Sequence, residues 1–139
     1  MDKIGIIIGS LTAMTEKQVE YLKRTVHSGT LNIENCLDIK LFYLPETDFS
    51  IIVDMDFISL LIECRGLIMS GGETAFSVLH ASGFNYLESG EQILPLISTG
   101  IIHGGMLDGK QYVIKGGSLG NDDIYIKLIQ HLSINTMEK

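Results

Sequence analysis

Three short stretches hold the residue types that could contact a phosphate: GSLT at 9–12, SGGET at 70–74 and KGGSLG at 115–120. Each closes an apolar run and precedes a segment rich in helical signals. Adjacent glycines cost backbone entropy there unless another backbone or a ligand must come very close. A turn that opens a helix leaves backbone N–H groups without intrahelical partners, and the helix dipole favours an anion beside them. Ser10, Thr12, Thr74 and Ser118 add hydroxyl donors, and Lys115 adds a positive charge. Such donors suit the phosphate tail of a nucleotide. A single Gly-Gly before a helix is more often only a tight turn or a point of close packing. Three such turns in one chain weigh more towards a ligand.

Other motifs carry less. No GxGxxG follows a strand, so the dinucleotide fingerprint is missing. GGMLDGKQ at 104–111 nearly matches a P-loop, but Gln111 stands where a magnesium-holding Ser or Thr belongs. Its Asp108-Gly109 pair reads instead as a hairpin tip. Asp122-Asp123 reads as a helix N-cap with dipole compensation. Glu73 is the nearest candidate for a base, although an acid in a first helical turn ordinarily complements the dipole. Cys36 and Cys64 stand apart from any CxxC pair and read as reduced core thiols. The four histidines lack metal-ligand spacing.

The elements that position the turns follow from periodicity. KIGIIIG (3–9) is a continuous apolar run, as in a strand buried on both faces. TEKQVEYLKRTVH (15–27) places Val19, Leu22 and Val26 on one helical face, with Thr15 and Gln18 spaced as a capping box. IKLFYLP (39–45) predicts a second strand, ended by Pro45. DMDFISLLIECRG (54–66) predicts a helix with Ile58, Leu61 and Ile62 on one face and Gly66 as its C-cap. GLIMS (66–70) predicts a third strand, and ETAFSVLHASG a helix with Gly83 beyond its end. FNYLES (84–89) predicts a fourth strand, the 93–117 stretch a hairpin, and NDDIYIKLIQHL (121–132) a last helix carrying Ile124, Leu128 and Leu132.

Strands alternating with helices imply parallel βαβ units. The expectation is one three-layer α/β domain over 1–139: a mixed, mostly parallel sheet with a C-terminal hairpin and helices on both faces. In such a sheet the three glycine turns share the edge at the strands' carboxyl ends, where α/β ligands bind. The 139 residues suit one domain, and 45% hydrophobic with 19% charged residues is a globular composition. The formal charge of −7 and the lack of a basic stripe argue against nucleic acid as a partner. No apolar stretch is long enough to span a bilayer, and the N-terminal run is too short for a signal sequence, so a cytoplasmic location is expected.

In order along the chain, GSLTAMTEKQVEYL, GLIMSGGETAFSVL and IKGGSLGNDDIYIKLI resemble the C-terminal nucleotide-binding domain of four-carbon acid sugar kinases. That family commonly shows a GSxSxxTxxQ turn and helix, a GGxT turn before a helix and a KxGxxG turn near its end. The resemblance implies ATP, with magnesium, and phosphoryl transfer to a hydroxyl of a threonate- or erythronate-like acid. By position it assigns nucleotide contacts to Ser10, Thr12, Gly71, Gly72, Glu73, Thr74, Lys115, Gly117 and Gly120. Thr12 replaces the family's second serine and keeps the hydroxyl, and Leu119 stands where an aromatic is frequent. Members are roughly three times this length. Their N-terminal domain carries a DDxTG turn and most acid-sugar contacts, and neither is read here. The resemblance therefore implies a nucleotide-binding half that works with a separate substrate domain. The alternative is a stand-alone, non-catalytic nucleotide-binding or regulatory module, and a homodimer is a further expected partnership.

Overall fold

The computed structural model describes residues 3–9, 13–28, 38–43, 54–90, 95–116 and 119–137. Six strands form one sheet: β1 (Lys3–Ile8), β2 (Asp38–Tyr43), β3 (Cys64–Ser70), β4 (Tyr86–Ser89), β5 (Ser98–His103) and β6 (Gln111–Lys115). Their spatial order is β2-β1-β3-β6-β5-β4. β2, β1, β3 and β6 run parallel, while β5 pairs antiparallel with both β6 and β4. The described helices are α1 (Ala13–Ser28), α2 (Met55–Leu61), α3 (Gly72–Ser82) and α4 (Ile124–Met137).

The strand pleat explains the two cores, because successive side chains point to opposite faces. Ile4, Ile6 and Ile8 of β1, Ile68 of β3 and Val113 of β6 pack against Val19 and Leu22 of α1. On that same face lie Ile124, Leu128, Ile129 and Leu132 of α4. Ile7, Leu67, Met69 and Tyr112 point the other way, onto Ile58 and Leu61 of α2 and Ala75, Val78 and Leu79 of α3. The result is the expected three-layer α/β domain: α1 and α4 on one face, the mixed sheet, and α2 and α3 on the other. Cys64 is buried in the second core, as a thiol acting as a small hydrophobe. No helix among the described residues is long and apolar enough to cross a membrane.

Two local expectations are corrected. α1 begins at Ala13, so Thr15 and Gln18 lie inside the helix, both fully buried, and do not form a capping box. α2 ends at Leu61, with the exposed Ile62 as its C-cap, and the chain enters β3 at Cys64. Gly66 is therefore a strand residue and not a helix C-cap. A Cβ on Gly66 would stand 3.1 Å from Leu132 Cδ1, so its small size lets α4 lie close on the sheet.

Gly83, with φ of 74°, ends α3 in the left-handed conformation as the sequence predicts. The β5–β6 hairpin is present, joined through residues 104–110, with Asp108 Oδ1 accepting from the Gly104 N–H at 2.7 Å. The P-loop-like string thus lies in a connection between antiparallel strands. Val26, Cys36 and Pro45 lie outside the residues whose side chains are described.

Candidate functional site

The parallel register brings the ends of β1, β3 and β6 level. Ile8 pairs with Ser70, and Ser70 pairs with Lys115, so the three glycine turns leave the sheet side by side at its carboxyl edge. β2 lies on one side of β1 and β3 on the other, which makes this edge a topological switch point. The helices that follow diverge there: α1 and α4 go to one face and α3 to the other. Ser10 and Thr12 of the first turn and Gly117 of the third lie outside the described residues. Gly71, Gly72, Glu73, Thr74, Lys115 and Gly120 lie within them.

The middle turn is built by Gly71. Its φ of 104° and ψ of 136° suit glycine and strain other residues. Its N–H donates to the Lys115 carbonyl at 2.9 Å, and its own carbonyl accepts from the Ala75 N–H at 3.1 Å. Gly71 is also the N-cap of α3, and as glycine it offers no side chain to the N–H groups of the first turn. Beside it Gly72 is exposed, and a Cβ there would meet nothing within 4 Å. Glu73 is exposed, while Thr74 is buried with its hydroxyl oxygen close to Gly71. The arrangement offers backbone donors, a positive dipole end and open space in one place.

Lys115 takes a different position from a surface cation. It is fully buried, donates from Nζ to the Gly116 carbonyl at 2.8 Å and lies 5.4 Å from the centre of the Tyr125 ring. Burial lowers its pKa from 10.5 to about 8, because a low-dielectric site disfavours the ammonium. Tyr125, buried at the start of α4, donates from its hydroxyl to Ser70 Oγ at 3.1 Å. Ser70, Tyr125 and Lys115 thus form a polar layer where β3, β6 and α4 meet. Among the described residues no group of three or more His, Cys, Asp or Glu side chains is placed to hold a metal ion.

One residue escaped the sequence reading of the site. Gln18, buried on α1, donates from Nε2 to the carbonyls of Leu119 and Gly120, each at 3.1 Å. The signal was the glutamine that closes GSLTAMTEKQ, but its spacing from Thr15 imitated a cap.

Residues 55–125, more than half of the chain, match the family model described as "Nucleotide-binding C-terminal domain". The chain belongs to this family. Comparison with curated proteins gives no match. Among solved structures, this nucleotide-binding C-terminal domain is similar to a Bordetella bronchiseptica domain of unknown function, DUF1537, a domain-swapped dimer with bound citrate. The TM-score is 0.76 at 16% identity, covering 95% of this chain and 41% of that one. A DUF1537 protein of Haemophilus influenzae aligns with a TM-score of 0.56 at 18% identity, over 94% of this chain and 40% of its own. These likenesses show a shared fold. The chain spans about two-fifths of the length of each of these relatives.

Proposed function

We propose that the three turns at the carboxyl edge hold ATP, and that the chain is the nucleotide-binding half of a phosphotransferase acting on a small acid sugar. The level register of Ile8, Ser70 and Lys115 supports this reading, because the three strands that precede the glycine turns end side by side at a switch point. Phosphoryl transfer depends on positioning and on neutralising charge, and backbone N–H groups at helix starts supply part of both. ATP bound there brings the transferable phosphoryl group. The first turn of α3 and the open space at Gly72 suit its phosphates, and Glu73 is exposed in the same turn. Ser10, Thr12 and Thr74 contribute hydroxyls, Lys115 charge beneath the edge, and Gly117 and Gly120 the third turn.

The acceptor, a threonate- or erythronate-like acid, is held in this reading by a separate substrate domain. The two-fifths coverage of the relatives supports that division, and a homodimer is a further arrangement. The test is ADP release from ATP and each acid sugar, with this chain alone and mixed with a separately purified DDxTG-bearing domain. Release only in the mixture is expected. Release by the lone chain would contradict the division of labour, and ATP binding without release in the mixture would favour the non-catalytic module.

A further inference from the structure

Gln18 sits on the helix that follows the first turn, yet its carboxamide ends on the backbone of the third. β3 lies between β1 and β6 in the sheet, so this contact spans the carboxyl end of β3 on the α1–α4 face. Only the NH2 end of a carboxamide can face two carbonyls, which fixes its orientation. The other end, Oε1, is buried with no hydrogen-bond partner among the described residues. An unmet buried acceptor costs free energy, which the two donated bonds at the other end offset.

Peptide geometry gives the contact its consequence. In a planar trans peptide the C=O and N–H point in opposite directions. The Leu119 carbonyl shares its peptide with the Gly120 N–H, and the Gly120 carbonyl shares one with the Asn121 N–H. With both carbonyls held by Gln18, these two N–H groups point away from it. Gly120 and Asn121 are exposed, and Gly120 has a φ of 97°, so successive N–H groups can face one anion.

We infer that Gln18 is a positioning residue for nucleotide binding, orienting the Gly120 and Asn121 N–H groups of the third turn towards a phosphate. The inference rests on the nucleotide reading above, and it couples the helix of the first turn to the backbone of the third without touching the ligand. Gln18→Met keeps length and removes both donors, and Gln18→Leu is a second variant of different shape.

The experiment is an amide-shift titration of wild type and both variants with ATP and magnesium, with backbone order parameters measured before nucleotide is added. Wild type should shift at Gly71–Thr74 and at Gly120 and Asn121. The variants should bind about tenfold more weakly, with the Gly71–Thr74 response kept and the Gly120 and Asn121 response lost. Before nucleotide is added, their order parameters should fall at 119–121 and stay level in β3. A residue that only stabilises the fold would lower Tm and leave this pattern intact. Unchanged affinity and unchanged order at 119–121 would overturn the inference. Loss of order at 119–121 with no wild-type shift anywhere would uphold the clasp and overturn the nucleotide reading and the binding role with it.

Discussion

The Gly71 N–H donates to the Lys115 carbonyl at 2.9 Å, tying the turn that opens α3 to the last residue of β6. β3 and β6 pair in parallel up to Ser70 and Lys115, and this bond continues the ladder one step past the strand. It holds Gly71 in a conformation that glycine alone adopts readily, so the middle turn depends on its neighbour.

Gly71→Ala is therefore expected to destabilise the fold by about 1–3 kcal/mol, the cost of a side chain at that φ and ψ. Chemical denaturation of the two proteins measures it. Equal midpoints and slopes would mean that the turn accepts another backbone conformation.

Gly72→Val should leave stability within about 0.5 kcal/mol, because the position is exposed and a Cβ meets nothing within 4 Å. The same branched side chain occupies the space in which a phosphate would sit. Nucleotide affinity, followed by calorimetry, should disappear. Retained affinity would place the phosphates elsewhere.

Gly66→Val tests the packing of α4. The added side chain points at Leu132, whose Cδ1 would be 3.1 Å from the new Cβ, and overpacking of this kind costs about 1–3 kcal/mol. Thermal unfolding should show the loss, and pairing the change with Leu132→Ala should recover part of it.

Lys115 gives a dependence on pH whose sign follows from its burial. Its folded pKa is about 8, below the ordinary value of 10.5, so the folded state disfavours the charged form. Below about pH 8 the lysine is charged in both states and the full penalty applies. Between about 8 and 10.5 the unfolded chain binds more protons, so stability from this group rises with pH. Cys64 and Tyr112, whose burial raises their pKa values, oppose that trend at high pH, so the comparison must be with Lys115→Met. Wild type should gain on the variant by up to roughly 3 kcal/mol across that window. A flat difference would mean that Lys115 is solvated.

Much of this was legible in the sequence because burial leaves a periodic trace. The β1 run, the Asp108-Gly109 hairpin and the α4 spacing of Ile124, Leu128 and Leu132 each appear in the structure as read, while β3 begins two residues before GLIMS, at Cys64. Gly66 misled because a glycine after a helical pattern looks the same whether it ends the helix or makes room for Leu132. Thr15 and Gln18 misled for a related reason: a local spacing hid a contact made about a hundred residues away. That Lys115 lies under the edge rather than on it depends on packing against Tyr125, which periodicity does not reveal. Ser10, Thr12 and Gly117 lie outside the described residues, and their part in the site rests on the sequence.

The central claim is that a nucleotide's phosphates lie across the three turns. Amide chemical shifts followed during titration with ATP and ADP, with and without magnesium, test it most directly. Saturable shifts clustered at Ser10, Gly71–Thr74 and Gly117–Gly120 are expected. Shifts absent from these turns, or clustered at another surface, would contradict it.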